Sequence, residues 1–585
     1  MTTRRRFIGT LIPAAVGALK VWRAQGQTAA PWRMKNEGSS GEKSWFTDIS
    51  GRSDIRYVTH NGYNGRKYFP QPMCGGVAAI DYDNDGWMDL FFTNGASFPA
   101  LVKETPSYYN ALYRNCRNGV FEDVTATAGL AGENLGYSFG AAVGDYDNDG
   151  HEDLFVAGAT RNALYHNNGD GTFTDVTRGS GLDRTPENLL CVGGAWLDYN
   201  NDGLLDLLVS TYTYWMPDSD QHCAQADSSG RPTHLAAAGL MDAYCSPTLY
   251  HSVSPRLFCN RGNGKFEDVT EASGIGRGLG KGMGIAIGDF SGNGRMDIFI
   301  ANDTDKNSLF VNKGDGTFEE TGLLSGVAYA QGGATVSSMG CDAKDYDNDG
   351  RIDIVYNDLS GQVFGIFHNA GGGAFDDVAA ETGILRISRP YSGWSIGFVD
   401  YDNNGLKDIF SANGDVDNLG QNTAQHDAMF RNVDGKSFVD VSEQMGRDFL
   451  RLGYQRGSAF VDLNNDGFMD IVVTSLGQKP RILLNRGDNG NHWILLDLRG
   501  TRSNKDAIGA RVKVTTASGR TLYSHVTTSV GFMSSSDRRV HFGLGDEDRV
   551  REIEIRWPSG VVQILKEPKA DVVLRVQEPE EPRGG

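Results

Sequence analysis

An all-β fold, a seven-bladed β-propeller followed by a small C-terminal β domain, is what this 585-residue sequence predicts. Three observations lead there. A nine-residue acidic phrase recurs seven times, each copy set between two short apolar runs. A second phrase alternates with it and reads as another hairpin. Glycine is plentiful at 76 residues and proline scarce at 17, a balance suited to many short strands joined by tight turns.

The acidic phrase is D-x-[DNS]-x-[DN]-G-x-x-D. Its first copy, DYDNDGWMD, presents Asp81, Asp83, Asp85 and Asp89. The second presents Asp145, Asp147, Asp149 and Asp153, and the third Asp198, Asn200, Asp202 and Asp206. The fourth has Asp289, Ser291, Asn293 and Asp297, and the fifth Asp345, Asp347, Asp349 and Asp353. The sixth and seventh have Asp400, Asp402, Asn404 and Asp408, and Asp462, Asn464, Asp466 and Asp470. Carboxylates this crowded repel one another, so the arrangement needs a cation. Alternate short oxygen side chains, a glycine that permits a sharp turn and a returning carboxylate supply the six to eight hard oxygen ligands that Ca²⁺ takes. An EF-hand would need a glutamate at the twelfth position. Here that position holds Phe92, Val156, Val209, Ile300, Tyr356, Ser411 and Val473. Apolar runs such as VAAI before the loop and LFFT after it make each copy a strand–loop–strand hairpin. The reading is up to seven Ca²⁺ ions. The fourth site is the weakest, because it keeps only two carboxylates, Asp289 and Asp297.

The second phrase runs LYRNCRNGVFEDVT (112–125), LYHNNGDGTFTDVT (164–177), LFCNRGNGKFEDVT (257–270), LFVNKGDGTFEET (309–321), IFHNAGGGAFDDVA (366–379) and MFRNVDGKSFVDVS (429–442). Two hairpins per unit give four strands every 53 to 91 residues, the content of one propeller blade. The ends predict closure. FTDIS (46–50) is a half-phrase without its first part, and ILLNRGDNG (482–490) is the first part without its second. Together they complete one blade, so the propeller spans 46–490.

The longest unit carries an insertion, 211–256, aromatic and cysteine-bearing. It reads equally as a partner surface or as a disulfide-pinned lid. Beyond Asn489, stretches such as HWILLDLRG, GARVKVTT and REIEIRW predict a separate β domain over 491–577, with 578–585 a disordered tail. At the other end MTTRRRFIGTLIPAAVGALKVWRAQGQTAA (1–30) has the basic start, short apolar run and small residues of an export signal, and 31–45 reads as a linker. Thr3-Arg4-Arg5-Arg6-Phe7-Ile8 resembles a twin-arginine motif. The location implied is periplasmic or secreted, with no transmembrane segment once the signal is removed.

Net charge is −19, and 23 aspartates sit in the seven loops, so the acidity is local. Seven Ca²⁺ ions would bring the charge to about −5. Nucleic acid is not an expected partner. Of seven cysteines, Cys223 and Cys245 in the insertion are the best disulfide candidates, and the odd count leaves a thiol free.

Taken together, the seven loops, Ser503-Asn504 with Ala507-Ile508-Gly509-Ala510-Arg511-Val512, His541-Phe542-Gly543-Leu544-Gly545, Trp557-Pro558-Ser559-Gly560 and Tyr244-Cys245-Ser246-Pro247 resemble FG-GAP/VCBS repeat proteins that end in an ASPIC/UnbV domain. The resemblance covers roughly 45–577. It implies a calcium-bound, integrin-α-like seven-bladed propeller outside the cytoplasm, and it implies no catalytic activity. Other signals are weaker. RGD at 486–488 aligns with the turn of the blade hairpins, and GLGKGMG at 278–284 lacks the Ser or Thr of a phosphate loop. His222, Cys223, Cys245 and His251 have irregular spacing for zinc. No Ser-His-Asp set stands out among 11 histidines. The function expected is that of a non-enzymatic binding or adhesion scaffold for an extracellular protein or glycan. The alternative is a calcium-dependent polysaccharide-active enzyme.

Overall fold

A computed structural model describes residues 44–224, 242–416, 423–487 and 489–580. The expected export signal, most of the linker, the middle of the insertion and Asp488 of the RGD tripeptide lie outside the described residues.

Seven four-stranded antiparallel sheets follow one another along the chain. In the first, the apolar runs flanking the acidic loop become strands Val77–Ile80 and Asp89–Phe92, and the second phrase becomes Ala111–Asn115 and Phe121–Asp123. The other sheets repeat this plan. Their innermost strands are Ser138–Gly144, Leu189–Leu197, Gly282–Gly288, Cys341–Lys344, Gly393–Val399 and Gln455–Val461. Each innermost strand packs on the next, and the last packs on the first, so the ring closes. The two orphan half-phrases meet: Phe46–Asp48 pairs with Arg481–Asn485 in the register Phe46↔Asn485 and Asp48↔Leu483. Strands buried on both faces explain why their sequences are nearly all apolar rather than alternating.

The C-terminal region forms two more sheets. One orders Val540–Gly545, His492–Arg499 and Val572–Gln577, the last two parallel. The other orders Thr521–His525, Arg511–Thr516, Val550–Arg556 and Val562–Lys566. Their facing residues, including Leu496, Val514, Phe542 and Ile553, share one buried core.

This region is not a separate appendage. Between Thr521–His525 and Val540–Gly545 the chain runs down the axis of the ring. Gly531 exchanges backbone hydrogen bonds with Cys341 at 2.8 and 3.2 Å, and Ser535 does so with Val77 and Ala79 at 2.9 Å each. Ala141 N–H donates to Met533 O, Asp537 N–H to Phe460 O, and Phe532 N–H to Ser395 Oγ. The Ser529 hydroxyl donates to Ile285 O and the Thr528 hydroxyl to Val143 O. The segment thus satisfies inner-strand polar groups of six sheets that would otherwise line an open channel. A close approach requires glycine here: a Cβ on Gly76 would lie 2.4 Å from Met533 O, and one on Gly531, at φ +76°, would lie 2.1 Å from Ser395 Oγ.

At the opposite end of the axis a largely aromatic cluster closes the ring. Tyr68, Phe69, Phe98, Tyr137, Tyr212, Trp215 and Trp394 pack with Phe532 and Met533. Cys223 and Cys245 are joined by a disulfide, which corrects any use of their thiolates for zinc. The described part of the insertion packs as a lid, with Phe69 stacked on Tyr250 at 3.9 Å. The other five cysteines are free, and four of them are buried. Part of the expected tail is also ordered. Glu578 is buried and accepts the backbone N–H groups of Thr501, Arg502 and Ser503, so the disordered tail expected from 578 begins at least three residues too early.

Candidate metal centres

Each acidic loop closes a hairpin between the two inner strands of its sheet. The residue before the first aspartate pairs with the last aspartate, as Ile80↔Asp89 and Gly144↔Asp153. The first aspartate organises the turn. Asp145 Oδ1 accepts Asp149 N–H at 3.1 Å and its Oδ2 accepts Gly150 N–H at 2.8 Å. Asp81, Asp198, Asp345, Asp400 and Asp462 do the same in their loops. In six loops the fourth position is an asparagine at φ 53–61°, a left-handed conformation that asparagine tolerates better than most residues.

The carboxylates converge. One oxygen each of Asp81, Asp83 and Asp85 lies within 4.8 Å of the others, and so do oxygens of Asp145, Asp147 and Asp149 and of Asp345, Asp347 and Asp353. Asp83 Oδ1 and Asp289 Oδ1, carboxylate oxygens of the first and fourth loops, are shielded from solvent without a hydrogen-bond partner. Unmet carboxylate oxygens in loops of this composition are ligands that a hard cation with bonds of about 2.3–2.6 Å would satisfy. Burial and then neighbouring charge push Asp81 up to about 7, with Glu152 the main neighbour. Asp145 is pushed to about 8 by burial and by Asp506, and Asp206 also to about 8, chiefly by burial. Without a cation the clusters resist full ionisation. The residues therefore fit calcium, which would be held by side-chain oxygens of the first, third, fifth and ninth positions.

The last aspartate has a second task. Asp89 Oδ1 accepts Asn115 N–H at 2.7 Å, and Asp153, Asp206, Asp297, Asp353, Asp408 and Asp470 accept the equivalent Asn167, Asn260, Asn312, Asn369, Asn432 and Asn485. These are the asparagines of the second phrase. Their side-chain amides then donate to the preceding loop: Asn167 to Tyr82 O, Asn260 to Tyr146 O, and onward around the ring to Asn115, which donates to Leu463 O. Sequence reasoning missed this role. The signal was present, since the asparagine recurs in all seven sheets, but nothing local says that its partner lies in another unit.

The fourth loop differs. Arg511 of the C-terminal region places Nη1 2.5 Å from Asp289 Oδ2, so a guanidinium already lies on one of the two carboxylates. Other loops touch that region through both charged and neutral groups: Arg538 meets Glu152 of the second loop, and Arg539 donates to Asp462 O of the seventh. Lys505 N–H donates to Asn148 Oδ1, Tyr523 N–H to Asn348 Oδ1, and Gly545 N–H to Asn403 O. The C-terminal region thus covers the loop face of the ring.

A cleft of about 930 Å³ opens between the first and second sheets, lined by Tyr57, Tyr113, Tyr165, Arg56, Arg161 and Asp175 among others. Asn110, also in its wall, is buried with Nδ2 unpartnered. Among the described residues no helix is long and apolar enough to cross a membrane.

Comparison with known proteins adds to these observations. Residues 81–156, 145–209, 238–300, 289–356 and 345–411 match the family described as FG-GAP-like repeat, and 500–583 match ASPIC and UnbV. The chain is similar to cartilage acidic protein 1 of Homo sapiens, 24% identical over 540 residues that cover 90% of this chain and 73% of that one. The Xenopus tropicalis protein of the same name is 25% identical over 530 residues, covering 88% and 75%. Among solved structures, the BP39L lectin from Burkholderia pseudomallei overlays with a TM-score of 0.42 at 11% identity, covering 71% of this chain and 97% of that chain.

Proposed function

The chain belongs to the FG-GAP repeat proteins and ends in an ASPIC/UnbV domain, and from that premise we propose that it is an exported, calcium-loaded, seven-bladed propeller serving as a binding scaffold rather than an enzyme. The observation that carries the metal reading is the convergence of buried, partly unpartnered carboxylate oxygens in the loops. Calcium would pull each cluster to a point and fix the angle between the strands it joins. What supports a scaffold is the filled axis. Its own chain occupies one end and the aromatic cluster closes the other, so ligands meet the outer rim. The cleft walled by Tyr57, Tyr113 and Tyr165 is the rim surface best shaped for an extracellular protein or glycan, with amide, guanidinium and carboxylate groups beside aromatic rings. The Cys223–Cys245 disulfide supports residence in an oxidising compartment.

The test is a metal-loaded against chelated comparison of the full chain. Metal bound only by the folded state stabilises it by mass action, so millimolar calcium raises the melting temperature and chelator lowers it. A melting temperature unmoved by verified metal removal sinks the calcium reading. Screening the loaded protein against glycans and cell-envelope fractions, with Arg56→Ala and Arg161→Ala as controls, tests the cleft. Ligand capture that both variants leave intact places the ligand elsewhere.

A further inference from the structure

In the second phrase, the residue before the shared asparagine projects over the acidic loop of its own sheet. Its identity changes from sheet to sheet. In the first and sixth sheets it is Arg114, 2.8 Å from Asp83 Oδ2, and Arg431, 3.1 Å from Asp402 Oδ2. In the third it is Cys259, whose Sγ is 3.7 Å from Asn200 Nδ2. In the fourth and seventh it is Val311 and Leu484. In the second and fifth it is histidine. His166 Nδ1 lies 3.3 Å from both Asp147 Oδ2 and Asp153 Oδ1. His368 Nδ1 lies 3.6 Å from Asp347 Oδ2 and 3.2 Å from Asp353 Oδ1.

Both Nδ1 atoms are shielded from solvent and lack a well-directed hydrogen bond. A ring nitrogen and two carboxylate oxygens fall within 4.8 Å of one another in each loop, from His166 with Asp147 and Asp153 and from His368 with Asp347 and Asp349, the latter 3.9 Å from His368 Nε2. Ligand atoms about 2.0–2.1 Å from a tetrahedral zinc ion are separated by about 3.3–3.4 Å, which is close to the spacing seen here. Calcium takes oxygen, whereas imidazole suits zinc and its neighbours in the first transition row. The surroundings hold the ligands in place. Asp153 Oδ1 also accepts Asn167 N–H, and Asp353 Oδ1 accepts Asn369 N–H, each at 2.8 Å. Tyr146 and Tyr346 set their rings edge-on to the two imidazoles, each at 6.3 Å.

Resting on the reading that the loops bind metal, we propose that the second and fifth loops are mixed imidazole–carboxylate sites that take a zinc-class divalent cation in preference to calcium, with His166 and His368 as ligands through Nδ1. The loops would then be two chemical kinds on one ring. The competing role for the histidines is that of counter-cations, as the arginines are in the first and sixth loops.

The experiment counts metals. Stripped full-length protein is dialysed against millimolar calcium with micromolar zinc, and both are measured by elemental mass spectrometry. The expected result is two zinc ions per chain in the parent, one in His166→Arg or His368→Arg, and none in the double variant, with calcium retained in all. Arginine already stands at this position in two sheets, so the exchange suits the fold. His166→Val and His368→Val, which copy Val311 of the fourth sheet, serve if the arginine variants do not fold. Fewer than two zinc ions in the parent, or zinc that survives the double exchange, overturns the assignment. Calcium retained without zinc defeats this inference alone, whereas loss of both metals defeats the metal-loop reading as well.

Discussion

Asn260 shows how much one side chain joins. Its N–H reaches Asp206, its amide donates to Tyr146 O at 2.7 Å and Leu205 O at 2.9 Å, and its Oδ1 accepts Gly262 N–H at 2.9 Å. It links the last aspartate of one loop to the backbone of the loop before. Asn260→Ala leaves buried carbonyls and an N–H unpaired, so a loss of about 1–3 kcal/mol is expected in chemical denaturation. A loss below half a kcal/mol would show that the link is dispensable. Asp83 acts differently, because one of its oxygens has no protein partner. Asp83→Ala is expected to lose about one metal ion per chain and to lower the melting temperature in calcium. Equal metal content in parent and variant would remove Asp83 from the ligand set.

At the scale of the element, the seven hairpins are alike in backbone but not in charge. The fourth lacks aspartates at its third and fifth positions, and Arg511 occupies Asp289. Its metal occupancy, whichever cation is bound, is therefore expected to be the lowest of the seven, ranked by anomalous scattering. Full density there with vacancies at Asp81–Asp89 would overturn the ligand-count argument. The axial segment is the other element with a sharp requirement. Gly531→Ala must hold a side chain at positive φ against Ser395, so a loss of about 1 kcal/mol or more of unfolding free energy, seen as a lowered denaturation midpoint, is expected. An unchanged midpoint would mean that the axis has slack.

For the whole molecule, the consequence is coupling. The buried Arg538 meets Glu152 of the ring at 2.8 Å and Asp497 of the C-terminal region at 2.7 Å, and the axial segment is bonded to six sheets. One unfolding transition is therefore expected by calorimetry, and two separated transitions would refute the coupling. Acid should test the same interface. His525 bonds Ile287 O and His541 bonds Gly467 O, each through Nε2 at 3.0 Å. Burial first, then Lys344 and Arg511 near His525 and Lys407 near His541, depress both imidazoles to about 3. A depressed value means that stability is present above the unfolded value near 6.5 and is lost as pH falls through that window toward 3. The fully buried His525 alone should cost on the order of 1.4 kcal/mol per pH unit across it. The parent's melting temperature is expected to fall below pH 6 more steeply than that of His525→Gln. Parallel profiles would clear the histidine.

Much of this architecture was legible in the chain. A phrase repeated at fixed offsets fixes a turn, because glycine and short oxygen side chains determine local backbone geometry. Apolar runs on either side fix strands, and the orphan halves at 46–50 and 482–490 announced their pairing because each lacks what the other supplies. The Cys223–Cys245 bond was legible because both residues sit in one short insertion. What only the tertiary structure decided involves groups far apart in sequence. These include the bond from Asn115 to Leu463, the guanidinium of Arg511 on Asp289 and the run of 528–537 down the axis. The axial residues 528–537, TSVGFMSSSD, are mostly small and polar and show no strand-like alternation. Their burial follows because a ring of inner strands leaves unpaired backbone groups facing a narrow channel, and a polar segment of the same chain satisfies them. Such a requirement belongs to the closed ring and leaves no periodic mark in the segment that meets it.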